Sequence, residues 1–109
     1  MREAFALLVL LAVTAASASP GRAADLSPQR TAELERLVLQ DCGSCHGLTL
    51  KGGLGSDLRP ENLAGKPVDL ITEIVLDGVP GTPMPPWRPL LSEEEARWIA
   101  NYLLNGGAK

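Results

Sequence analysis

The chain has 109 residues, 45% of them hydrophobic, and its ten basic and thirteen acidic residues give a net charge of −3. That length allows one small domain, and the acidic balance excludes the clustered basic patches with which proteins bind nucleic acid. Two cysteines and a single histidine are the whole supply of soft metal ligands, too few for a structural zinc site, which takes four.

Residues 1–23 read as a secretory signal: Arg2 supplies a weakly basic start offset by Glu3, residues 4–13 form an apolar run, and small residues follow. Cleavage after Ala18 satisfies the Ala-x-Ala rule through Ala16, and cleavage after Ala23 satisfies it less strictly through Gly21. Ten apolar residues are too few to span a bilayer, and the polar, turn-like residues 17–24 argue against an uncleaved anchor. The expected mature domain is 24–109, with no membrane span once the signal is removed and with eight basic against twelve acidic residues. It keeps only three aromatics, Trp87, Trp98 and Tyr102, so a protein-only core would be thin. A large apolar cofactor would supply the missing mass.

The first helix is expected from Ser27, which can cap it, with Pro28 at the first helical position. Leu34, Leu37, Val38 and Cys42 follow the helical period, and Leu39 interrupts the pattern. The helix therefore delivers Cys42-Gly43-Ser44-Cys45-His46 at its C-terminal end. Cys-x-x-Cys-His is the attachment signature of c-type haem: thiols three residues apart can bond the two vinyl groups of one porphyrin, and the adjacent imidazole is a good iron ligand. A redox dithiol would sit at a strand-to-helix junction, and no strand pattern precedes Cys42. One covalent haem c is expected, with Cys42 and Cys45 as thioethers and His46 as the proximal ligand.

Residues 47–65 are expected to form a long loop with five glycines, either wrapping a porphyrin edge or simply mobile at the surface. Ala64-Gly65-Lys66 is not a phosphate loop, because Pro67 follows and Pro60 stands where glycine is needed. A middle helix is read from Pro67 on the spacing of Val68, Ile71, Ile74 and Val75, ending at Gly78; the β-branched content makes a strand the competing reading.

Gly81-Thr82-Pro83-Met84-Pro85-Pro86-Trp87 suits neither a helix nor a core strand. Apart from Met1, Met84 is the only methionine, and there is no second histidine. A methionine can simply fill a gap in a core, but the flanking prolines fix the backbone here, and Met84 is expected to be the distal iron ligand. Ser92-Glu93-Glu94-Glu95 is a capping box opening a last helix to about Leu104, with Ala96, Ile99 and Leu103 on one stripe. The haem propionates are expected near Trp87 and one or more of Arg59, Lys66 and Arg88, since carboxylates need donors; the alternative is that each cation is solvated.

Three main helices around one covalent haem, with a Cys-x-x-Cys-His turn after the first and a Met-Pro loop before the last, resemble class I cytochrome c, an all-α fold. Residues 39–48, together with Gly52-Gly53-Leu54-Gly55 and the segment around Met84, are similar to cytochrome c55X, the small monohaem cytochrome found with cytochrome cd1 nitrite reductase in denitrifying bacteria. That resemblance implies a periplasmic, monomeric one-electron carrier without catalytic residues, whose partner is cytochrome cd1 nitrite reductase. Two alternatives stay open: a redox role in maturing haem d1 of that reductase, and a haem-based sensor or peroxidase with a labile distal site.

Overall fold

The computed structural model describes residues 26–107; the expected signal segment and its cleavage sites lie outside them. The described residues are helical with no strand. Helix α1 (Pro28–Leu37) starts where its cap dictates: Ser27 Oγ accepts from the Arg30 amide at 3.1 Å and Pro28 occupies the first turn. It does not stop at Leu37. A π-helical turn, Val38–Cys42, continues it, with the Gly43 amide reaching back five residues to the Val38 carbonyl, and α2 (Gly43–His46) completes the rod. The extra residue per turn turns the following residues relative to the α1 face. Leu34 and Val38 stay fully buried, while Leu39 is 39% exposed.

The next segment is less loop-like than expected. It contains a short helix, α3 (Pro60–Leu63), which buries Leu63, and Asp57 organises its entry by accepting from the Arg59 amide at 2.9 Å while its carbonyl accepts from Asn62 Nδ2 at 2.6 Å. Helix α4 (Val68–Asp77) follows with Pro67 at its cap, so helix and not strand is the correct reading of the Val-Ile pattern. It buries Ile71, Thr72, Val75 and Leu76; the Thr72 hydroxyl donates to the Val68 carbonyl at 2.7 Å, so its burial leaves no polar atom unpaired.

Helix α5 (Glu93–Leu104) opens with both halves of the capping box, Glu95 N–H to Ser92 Oγ at 3.1 Å and Ser92 N–H to Glu95 Oε1 at 3.0 Å. Its buried stripe of Ala96, Ile99, Ala100 and Leu103 packs chiefly on α4 and also meets α1 and α3. Alanine at 96 and 100, four residues apart, puts two small side chains on one face and lets the helices approach closely. Arg30 pairs with Glu95 and the Tyr102 hydroxyl reaches Glu35 at 3.3 Å, tying α1 across α5. Trp98 and Tyr102 stack with ring centroids 5.1 Å apart. This three-helix frame of α1, α4 and α5 carries the two segments that hold the sequence-predicted site residues: the Cys-His turn and the connection between α4 and α5.

Candidate functional site

Cys42 closes the π-helical turn, and Cys45 and His46 lie on α2, so the structure brings these three onto one short stretch of helix. Both thiols are unpaired and half-buried, with no disulfide between them. Burial, helped by the Asp41 charge, pushes the Cys42 thiol up to about 11, the opposite of the depressed value a redox dithiol needs. Among the described residues no cluster of three or more His, Cys, Asp or Glu is arranged to hold a metal ion. The raised Cys42 value does not support the redox-dithiol reading.

His46 Nδ1 lies 2.7 Å from the Ser56 carbonyl oxygen. A carbonyl can only accept, so Nδ1 carries the proton and the lone pair is left on Nε2. The same bond fixes the ring's orientation, as the outer partners of metal-bound histidines do. The loop reaches this position by folding back over the Cys-His turn: the amides of Gly55 and Gly52 donate to the Cys45 and His46 carbonyls at 2.7 and 2.8 Å. Gly55 lies against the imidazole face, where an added Cβ would be 2.7 Å from both Nδ1 and Cε1. No larger residue fits that contact. Neither Ser56, which acts through its backbone, nor Gly55 announces this role in sequence beyond the general richness in glycine.

Met84 stands on a separate element, the α4–α5 connection, where it is half-buried. Its carbonyl accepts from the Val79 amide at 3.2 Å, and its amide donates to Thr82 Oγ1 at 3.3 Å. Gly78 ends α4 with φ of 66°, and a Cβ there would come within 2.6 Å of the Met84 carbonyl. Beyond Met84 the Trp87 and Arg88 amides donate to the Val75 and Leu76 carbonyls at 3.1 and 2.9 Å, so the segment is anchored on the last turn of α4. Both arginines expected near the propionates pair with carboxylates of this chain. Arg59 binds both carboxylate oxygens of Asp57, with Nη2–Oδ2 at 2.7 Å, and Arg88 binds Asp77 through two contacts of 2.8 Å. Lys66 is exposed.

A cleft of about 310 Å³ lies between α4 and α5, lined by Asp69, Glu73, Arg88, Glu93 and Arg97 among others. It touches none of Cys42, Cys45, His46 and Met84, and its charged walls do not suit a flat apolar ring. The chemistry is carried instead by the donor set: two free thiols and an imidazole with one nitrogen committed and one available, on a turn closely covered by glycine. These residues fit a covalently attached haem.

Fold and site together define a c-type cytochrome, whose cofactor is covalently bound haem c. The family model described as cytochrome c oxidase, cbb3-type, subunit III, matches residues 29–103. The chain is 55% identical to cytochrome c55X of Paracoccus denitrificans over 98 residues, covering 90% of this chain and 89% of that one. Among solved structures it is similar to the c-type cytochrome NirC, with a TM-score of 0.72 and 52% identity over 73% of this chain and 94% of that chain. It is also similar to dihydro-haem d1 dehydrogenase NirN in complex with DHE, with a TM-score of 0.62 and 32% identity over 69% of this chain and 16% of that larger chain. The chain belongs to the cytochrome c55X family.

Proposed function

We propose that the protein is a periplasmic one-electron carrier, not an enzyme, in which Cys42 and Cys45 form the haem thioethers, His46 is the proximal ligand through Nε2, and Met84 is the distal ligand. The observation that carries this reading is the His46 Nδ1–Ser56 carbonyl bond of 2.7 Å, which leaves Nε2 for iron. A haem so held supplies the reversible gain and loss of one electron at iron. The chain's part is to hold the imidazole rigidly through Ser56 and Gly55 and to present Met84 from a segment anchored on α4. Were His46 and Met84 both to hold the iron, no open position would remain for a substrate and no catalytic group would be required. Residues 1–23 act as the export signal of a monomeric mature domain, 24–109. No helix among the described residues is long and apolar enough to cross a membrane.

The resemblance to cytochrome c55X supports cytochrome cd1 nitrite reductase as the electron acceptor. Stopped-flow mixing of the reduced protein with oxidised nitrite reductase tests this: oxidation should be fast, second-order and slowed or accelerated by salt according to the partner's charge. Absence of oxidation on any turnover-relevant timescale would rule out the carrier role toward that partner. A second reading, a redox step in maturing haem d1, is favoured by the similarity to dihydro-haem d1 dehydrogenase. Under that reading the protein would exchange electrons with the maturation enzyme and not with the reductase.

A further inference from the structure

We propose that Asp77 and Arg88 are positioning residues for the distal ligand, forming a clamp across the neck of the Met84 segment that sets how readily Met84 leaves the iron. The inference rests on the reading of Met84 as distal ligand given above. Asp77 is the last residue of α4, and Arg88 lies just beyond the segment 78–87 that carries Met84. Arg88 Nε and Nη2 each approach one carboxylate oxygen of Asp77 at 2.8 Å, the parallel two-bond geometry that fixes orientation as well as distance. Below it, the Trp87 and Arg88 amides are bonded to the Val75 and Leu76 carbonyls. The neck is therefore closed by two side-chain and two backbone bonds.

At the tip, Thr82 bonds the Val79 carbonyl through its hydroxyl at 2.7 Å and its amide at 3.1 Å, but Met84 itself is held more lightly. Around Met84 itself the contacts are a Val79 N–H to Met84 carbonyl bond of 3.2 Å and a Met84 N–H to Thr82 bond of 3.3 Å, both at or beyond the long end of the usual range. A thioether can withdraw from iron either by flexing this tip or by opening the neck. The clamp suppresses the second route. Asp77 and Arg88 are both 57% exposed, so the clamp has the strength of a surface pair, which corresponds to roughly a two- to fivefold effect on an equilibrium. Arg97–Asp69, at 2.6 Å, is a comparable exposed pair two helical turns away along α4 that does not bracket the Met84 segment.

The test uses the intact ferric holoprotein at low ionic strength, titrated with imidazole, which competes with Met84 for iron. The readout is loss of the weak charge-transfer band at about 695 nm that marks methionine bound to ferric haem. Asp77→Asn and Arg88→Met should each retain the band without imidazole yet bind imidazole roughly two- to fivefold more tightly. Both should shift the same way although they change net charge in opposite directions. The charge-swapped Asp77→Arg/Arg88→Asp variant should return toward wild type, and Asp69→Asn should match wild type. Amide hydrogen exchange at Trp87 and Arg88 should accelerate in the two single variants. A wild-type protein without the band would refute Met84 ligation itself. A normal band combined with unchanged affinities, opposite shifts in the two single variants, or an equal shift in Asp69→Asn would refute the clamp alone.

Discussion

Replacing Gly55 with alanine isolates the contact on which the orientation of His46 depends. The φ of Gly55 lies outside the left-handed region, so alanine meets no backbone penalty there. What it meets is the ring: the new methyl would sit 2.7 Å from Nδ1 and Cε1 and 3.1 Å from Cγ of His46, against ordinary contacts that start near 3.4 Å. Either the imidazole or the loop must retreat, and the loop is held by the Gly55 amide on the Cys45 carbonyl at 2.7 Å. Overpacking of this kind costs about 1–3 kcal/mol, and weakening the His46–Ser56 hydrogen bond costs about 1 kcal/mol more. A total of about 3 kcal/mol lowers the Tm of a domain this size by roughly 12–24 °C. Gly65→Ala is the matched control: φ is +80° with nothing within 4 Å of the added atom, so it carries only backbone strain of about 1–2 kcal/mol. Thermal unfolding of the holoproteins followed at the Soret band, with the His46 ring proton shifts read by NMR, checks both. If Gly55→Ala kept the wild-type Tm and the wild-type histidine shifts, the argument that glycine is required by close approach to the imidazole would be wrong.

Intact mass of the mature protein should exceed the processed chain by one haem, about 616 Da, with neither Cys42 nor Cys45 alkylatable after denaturation. Glu95→Gln should destabilise by about 0.5–1.5 kcal/mol in urea, because glutamine can still accept from the Ser92 amide but loses the charged partner of Arg30. The hydrogen bond from Arg30 holds the Glu95 carboxyl below its ordinary value of 4.5. The stability this provides is therefore complete above pH 4.5 and is lost as pH falls through the depressed folded-state value, so the wild-type advantage over the Gln variant should fade in acid unfolding. Ala100→Leu, at a fully buried position of the α4–α5 contact, should cost about 1–3 kcal/mol by overpacking, measured in the same urea titration.

The three long helices were legible because their ends carry chemistry: Ser27 with Pro28, Gly78, and the Ser92–Glu95 box each stand at the boundaries observed. The π-helical turn was visible only as the misfit of Leu39, since a five-residue backbone hydrogen bond has no compositional signature. Cys42, Cys45 and His46 could be read as a unit from spacing alone. The groups that orient them could not, because the decisive acceptor is the Ser56 carbonyl, a group every residue has. The Arg59–Asp57 pair is one the sequence does display, a carboxylate two residues before the guanidinium. The Arg88–Asp77 pair has no local signature, because the chain returns to α4 and brings Arg88 back to Asp77, eleven residues earlier.

The central claim is that His46 and Met84 together fill the axial positions of the iron. Its most direct test is the near-infrared and red absorption of the ferric protein at neutral pH, compared between wild type and Met84→Ala. The wild type should show the weak band at about 695 nm and resist carbon monoxide when reduced, whereas Met84→Ala, with only Met1 as another methionine and no second histidine, should lose the band, fall in potential and bind carbon monoxide. A wild-type protein that lacks the band or binds carbon monoxide readily, or an alanine variant that keeps the band, would contradict the account.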